Sequence, residues 1–328
     1  MARNRQAPKG STLELPTLAM MAATYAVWAI GTTVAWQIAP VLALLLTVIA
    51  IAQFSSLQHE VLHGHPFADP RLNEALVFPA LTVVVPFNRF RDLHLAHHHD
   101  PDLTDPYDDP ESNFVDPAQW ARMPALLRRA YQMNNTLLGR ILIGPALSIW
   151  TLMRDDIAAI RQGDAAVRRA WVLQGYGLLL VGGWLVLVGS MPIWAYLVAA
   201  YLAYGVLKIR TFLEHRAHDA FRGRSVIIED RGPLALLFLN NNLHAVHHMH
   251  PTMPWYDLPA KYAANRDHYL RRNDGYRFAN YAEVFRRYFL QAKDPVPHPL
   301  WHPADRSDQT SLRKAGVAAE LSKNGTPG

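Results

Sequence analysis

Eight histidines fall at spacings suited to holding metal: His59 and His63 in HEVLHGH, His94, His97 and His98 in HLAHHHD, and His244, His247 and His248 in LHAVHHMH. On a helix, positions i, i+3 and i+4 share a face, so each H-x-x-H-H directs three imidazoles to one spot. Taken alone, the first stretch is the H-E-x-x-H signature of a zinc hydrolase, with Glu60 as general base. That reading needs two histidines and a third ligand, and it leaves both H-x-x-H-H clusters unexplained. A membrane zinc protease also sets its histidines against an Asp on another membrane helix, but here the one D-G pair, Asp274 and Gly275, sits in the polar segment RRNDGYRF. Eight nitrogens exceed what one zinc ion takes. They predict two ions with positions left open. Imidazole suits zinc, copper, iron and nickel alike, so ligand type leaves the metal undecided. A redox-active iron pair that activates dioxygen fits a site beside lipid better than a hydrolytic pair does.

Other residues join the candidate site by position. His215, in TFLEHRA, closes the last long apolar stretch level with His59 and is a ninth candidate ligand. Glu60 and Glu214 adjoin ligands and are expected to hold imidazole N–H groups, as carboxylates around metal sites do. Asn240, one turn before His244, is a candidate contact to metal or water. The run DPDLTDPYDDPE lacks the spacing and glycine of a calcium loop; Asp105, Asp108 and Asp109 are expected instead to hydrogen-bond ligand histidines or to pair with arginines. His65, His99, His218 and His250 lie off the shared faces. His268, His298 and His302 are isolated, and a lone histidine is ordinarily a surface or hydrogen-bonded core residue.

The elements that must position these residues are membrane helices. Half of the 328 residues are hydrophobic and only 18% are charged, against about a quarter charged in an ordinary soluble domain. Leu15 to Gln58 and Ala170 to Leu207 contain no Asp, Glu, Lys or Arg, and each is long enough for two helices of roughly 20 residues. Uncharged turn residues divide them: Gln37, Ala39 and Pro40 in the first, Gly189, Ser190 and Pro192 in the second. The spacing predicts two helical hairpins, with spans at about 16–36, 41–63, 171–189 and 193–214. Arg3, Arg5 and Lys9 precede the first hairpin, Arg154, Arg161, Arg168 and Arg169 precede the second, and Lys208, Arg210 and Arg216 follow it. This bias places both termini and the histidines in the cytoplasm. Ala75 to Phe87 is too short to span. Thr136 to Met153 contains Arg140, Gly144 and Pro145, and if it spanned it would separate the histidine clusters. Both are expected to be interfacial or re-entrant. No signal peptide is expected, because the first apolar region is too long and shows no small-residue cleavage site.

The fold class expected is all-α: four transmembrane helices in two hairpins with a cytoplasmic helical cap carrying the histidines, over residues 1–300, followed by a polar, disordered tail at 301–328. Zero cysteines exclude disulfides, Cys-ligated zinc and iron–sulfur clusters. The net charge of +5 reads as the positive-inside bias rather than as a nucleic-acid surface.

The set H-x-x-x-H, H-x-x-H-H and H-x-x-H-H, at the cytoplasmic ends of two membrane hairpins, resembles the membrane fatty acid desaturase superfamily, whose relatives include carotenoid ketolases and hydroxylases and alkane monooxygenases. The similarity runs from about Leu15 to Pro299. RDLHLAHHHDPDLTDPYDDPES and NNNLHAVHHMHPTMPWYDLP look like bacterial members. The resemblance implies two non-heme iron ions, dioxygen as co-substrate, and as ligands His59 and His63, His94, His97 and His98, His244, His247 and His248, with His215 as the extra one. It implies desaturation of a fatty acyl chain drawn from the bilayer, or hydroxylation or ketolation of a carotenoid or other lipid, in a bacterial inner membrane. The third box begins with His244 rather than the Gln of cytochrome-fused enzymes, and no heme segment H-P-G-G occurs. Electrons are therefore expected from an external ferredoxin or similar carrier docking on the basic cytoplasmic face, including Arg128, Arg129, Arg271 and Arg272.

Overall fold

The computed structural model describes residues 13–99 and 103–301. Arg3, Arg5, Lys9, His302 and the expected tail from 302 onward lie outside the described residues. The chain is mostly helical. Two apolar hairpins form its base: α1 (Leu15–Thr32) runs through a break at Thr33 into α2 (Val34–Ile38) and turns into α3 (Pro40–Leu62). Between the hairpins come α4 (Pro70–Leu76), α5 (Phe87–His99), α6 (Pro117–Arg122), α7 (Ala125–Asn134), α8 (Leu137–Leu142) and α9 (Gly144–Arg161). The second hairpin is α10 (Ala165–Leu187) and α11 (Ile193–Thr211). Beyond it lie β1 (Ile227–Ile228), α12 (Pro233–Leu237), α13 (His244–Met249), α14 (Leu258–Ala264), α15 (Arg266–Arg272), β2 (Arg277–Phe278) and α16 (Tyr281–Tyr288).

Among the described residues four helices are long and apolar enough to cross a membrane: Leu15–Ile38, Pro40–Leu62, Ala165–Leu187 and Ile193–Thr211. The third starts earlier than the charge pattern predicts, because Asp164 accepts from the N–H groups of Ala166 and Val167 and caps the helix ahead of Arg168 and Arg169. α3 is the most enclosed of the four, packed by α1 on one side and α11 on another. Large apolar side chains such as Leu179, Val186 and Leu187 stand exposed on α10, as a lipid-facing surface requires.

Segment 77–86 has no regular structure and packs against the hairpins. Leu81 O accepts from Tyr196 Oη at 2.9 Å, Val83 O accepts from Gln174 Nε2 at 2.7 Å, and Val85 N donates to Tyr204 Oη at 3.2 Å. Side chains from two spans thereby satisfy a backbone that lacks a helical ladder. Gly177 permits the approach, since a Cβ there would stand 2.5 Å from Phe78 O.

The strands are short and belong to the cap. Parallel β1 and β2 pair Ile227 with Arg277 and Ile228 with Phe278. This small sheet, with Phe212, Leu213, Phe238, Tyr276 and Val284, makes a second core next to the membrane-helix core. It is the platform on which the third histidine box rests.

Candidate metal centre

Four chain segments deliver the histidines. The first pair closes α3: His59 lies in its last turn, and His63 is the residue after it. The second box occupies the end of α5, which is clamped from below. There Arg89 donates to buried Asp156 of α9 through Nε at 2.9 Å and a terminal nitrogen at 2.7 Å, while Trp171 of α10 donates to the other carboxylate oxygen at 2.8 Å. His215 follows α11, where the chain extends and pairs antiparallel with Ser225. The third box forms the six-residue α13, tied to β1 by Ala245 N to Val226 O at 3.0 Å and Ile228 N to Asn242 O at 2.8 Å.

All nine histidines singled out from the sequence converge, and they do so as two groups. His59, His63, His94, His98 and His247 form one; His97, His215, His244 and His248 form the other. Within each group one ring nitrogen per residue lies within 4.8 Å of all the others. The boxes are thus shared out: the second and third each give residues to both groups. His59 and His63, at the end of α3, and His215, four residues beyond α11, thus belong to two adjoining groups.

The ring protons are placed by outer partners. His94 Nδ1 donates to Glu111 Oε1 at 2.7 Å and His97 Nδ1 to Asp109 Oδ1 at 2.7 Å. A carboxylate only accepts, so these protons sit on Nδ1. His244 Nδ1 meets Asn241 Oδ1 at 3.1 Å, and Asn241 Nδ2 is turned to Glu214 at 3.2 Å, which fixes the same tautomer by the hydrogen-bond network. In the neutral rings the Nε2 lone pairs then point inward. His94 Nε2 lies 3.2 Å from His63 Nε2 and 3.0 Å from His98 Nε2, and His215 Nε2 lies 3.0 Å from both His97 Nε2 and His244 Nε2. His59 Nε2 is buried with no hydrogen-bond partner among the described residues. Lone pairs facing lone pairs in a buried site are costly. A cation in each group turns that repulsion into attraction, so the donor sets fit metal ions, and all-imidazole sets suit transition metals such as zinc, copper, iron and nickel.

Electrostatics set one ring apart from the others. Burial, and then the neighbouring imidazoles, push His98 down to about 3 and hold His215, His244, His247 and His248 well below the usual imidazole range. His97 is the exception. Burial opposes its charged form, but Glu111 and Asp109 outweigh burial and raise it to about 9. In return His94 and His97 hold the Glu111 carboxyl far below its usual range, against the effect of burial.

The supporting residues differ in part from expectation. Asp109 does hold a clustered histidine. Asp105 instead accepts from the Trp301 indole at 2.9 Å and from the N–H groups of Tyr107 and Asp108, so it shapes the loop. Glu60 accepts from Trp255 N at 2.9 Å and belongs to neither histidine group. Glu214 reaches His244 Nδ1 only at 3.7 Å and works mainly through Asn241 and Arg210. The Asn240 amide donates to Trp255 O at 3.1 Å; the neighbour that meets His244 is Asn241. Glu111 and Ser225, whose hydroxyl lies 3.3 Å from His215 Nδ1, are additions. The off-face histidines stay out of both groups: His65 meets Glu14 at 2.8 Å, His99 meets Leu95 O, His218 meets Asp274 and His250 meets Tyr269.

A search of curated proteins gives no significant match. A family model described as fatty acid desaturase matches residues 34–280, well over half of the chain and all nine clustered histidines. The chain therefore belongs to the fatty acid desaturase family, and with it to the lipid-acting oxidoreductases.

Proposed function

We propose that this chain is a membrane-bound, oxygen-dependent fatty acyl desaturase in which each histidine group holds one non-heme iron. The observation that carries the reading is the inward convergence of nine imidazoles into two separate groups at the ends of apolar helices. His59, His63, His94, His98 and His247 would hold one ion, and His97, His215, His244 and His248 the other. Iron bound there, with dioxygen, supplies an oxidant able to take hydrogen from an unactivated C–H bond. The protein's part is positional. Asp109, Glu111 and Asn241 fix the ring tautomers, Arg89 and Asp156 clamp the helix under the second box, and Ser225 sets His215. The apolar substrate would come from the bilayer, between the spans and the histidine-bearing segments, with one carbon held near the ions.

The positive-inside bias supports a cytoplasmic site in a bacterial inner membrane. Tags at either terminus and within 154–169 should all report the cytoplasm; opposite sides would overturn that orientation. A zinc protease is disfavoured by the engagement of Glu60 with Trp255 N, away from both groups. The deciding experiment is mass spectrometry of lipids from a host expressing the protein. Acyl chains lighter by two hydrogens support desaturation. Lipids heavier by one oxygen would replace it with hydroxylation, and an oxidised carotenoid would replace it with ketolase or hydroxylase activity.

A further inference from the structure

Of the ring contacts between the two histidine groups, a stacked pair is the shortest. His98, of the five-histidine group, and His248, of the four-histidine group, lie with ring centroids 4.3 Å apart and 23° between planes. Both rings line a cleft of about 270 Å³. Its walls come from the cap alone: Phe221, Arg222 and Ser225 after α11, Ala245 and Met249 of α13, and Tyr269 and Arg272 of α15. No residue of the four apolar spans is among those lining the cleft.

Its rim is basic. Arg222 and Arg272 are exposed, and neither makes an ion pair with another described residue. No acid lines the cleft among the described residues; of those nearby, Asp274 lies 3.0 Å from His218, Asp267 lies 3.7 Å from Arg266, and Asp219 is exposed. Phe221, 46% exposed, adds an apolar contact beside the two charges. This is the composition of a small docking surface: an aromatic anchor with arginines around it.

The chain needs a partner there. It has no cysteine and so no iron–sulfur cluster, and it carries no heme or flavin motif. Forming an alkene while reducing dioxygen to two waters draws two electrons from the lipid C–H bonds and two from outside, with two protons from solvent; hydroxylation draws the same two external electrons. We propose that an acidic one-electron carrier docks over this cleft on Arg222, Arg272 and Phe221, and delivers electrons one at a time through His98 and His248, one ring leading to each group. This rests on the diiron reading above. The arginines of α7 are a different surface. Arg128 and Arg129 share their helix with Leu126, 81% exposed, and Met133, 58% exposed, an amphipathic composition that suits the membrane interface.

The test uses full-length, iron-loaded protein in nanodiscs and an acidic [2Fe–2S] ferredoxin reduced by its NADPH-dependent reductase. Arg222→Glu with Arg272→Glu should raise the KM for ferredoxin at least about tenfold and flatten its dependence on ionic strength, as loss of rim charges does. The KM for lipid, the rate at saturating ferredoxin and reduction of the irons by dithionite should stay unchanged. Arg222→Gln with Arg272→Gln, a milder change, should shift the same parameter less. An unchanged ferredoxin KM in these variants, a loss with Arg128→Glu and Arg129→Glu instead, a raised KM for lipid, or wild-type protein that dithionite reduces and ferredoxin at low salt does not, would each overturn the proposal. Wild-type protein that binds no iron would overturn the diiron reading itself.

Discussion

His97 is held at both ends of its ring: Nδ1 donates to Asp109 Oδ1 at 2.7 Å, and Nε2 stands 3.0 Å from His215 Nε2. The carboxylate therefore decides which nitrogen faces the four-histidine group. Asp109 also accepts from Thr104 N at 2.7 Å and Glu111 N at 2.9 Å, so one buried side chain sets the ring and the loop that brings Glu111 to His94.

Asp109→Ala should lower iron affinity about 10 to 100-fold, the usual cost of removing a carboxylate behind a metal-bound histidine. Its effect should exceed that of Asp105→Ala, because Asp105 meets an indole and loop amides rather than a clustered ring. Metal analysis of both variants at fixed free iron checks the order. Equal losses would mean that the loop, not the ring contact, matters.

His97 also sets a pH dependence. Its value near 9 in the metal-free protein means that below that pH a proton must leave before a cation binds, so iron affinity should rise about tenfold per pH unit between 7 and 9 and then level off. The folding term has the opposite sign. A raised imidazole stabilises the metal-free fold fully below the unfolded value of about 6.5, and that contribution is lost as pH rises through about 9. Thermal unfolding of metal-free protein across this range should therefore show falling stability where metal binding strengthens. Stability that rises from pH 6.5 to 9 would contradict the assignment of the proton to His97.

Single alanine variants at His94, His98, His244 and His247 should abolish lipid oxidation and reduce bound iron. Each removes a donor from a group that no further imidazole joins among the described residues. His268→Ala should leave both unchanged, since His268 is exposed, lies beside Tyr269 and belongs to neither group. Iron counts on purified protein separate loss of metal from misfolding. Full activity in any of the four would break the grouping.

The nine histidines were legible because helical spacing survives folding: His94, His97 and His98 sit on a real helix, and so do His244, His247 and His248. How the groups divide was not legible, because it depends on which segments meet in space. Placing Asn240 one turn before His244 assumes that a helix continues upstream of His244. Leu239 and Asn240 have φ of 50° and 55°, the chain breaks its helical phase there, and α13 begins only at His244. Glu111 was hidden differently. It stands in an acidic run with several equivalent carboxylates, and only the turn closed by Ser112 N to Asp109 O at 3.1 Å selects which of them reach the rings. The hairpins were readable from uncharged length alone, whereas the start of α10 was obscured by arginines in its first turns.

Glu60 separates hydrolysis from oxidation most cleanly. In an H-E-x-x-H hydrolase this carboxylate activates water, so Glu60→Gln would keep the metal and eliminate turnover. Here Glu60 Oε1 accepts the backbone N–H of Trp255 at 2.9 Å and lies 3.8 Å from His65 Nε2, tying the end of α3 to the loop after the third box. A glutamine can accept the same N–H, so the tie survives the change. Glu60→Gln should therefore retain most lipid oxidation, whereas Glu60→Ala should lose the tie, bind iron less tightly and unfold at lower temperature. Peptide cleavage should be absent from the wild type throughout. Iron-independent proteolysis by the wild type that disappears in Glu60→Gln would sink the oxidase assignment, because no arrangement of Glu60 behind Trp255 could account for it.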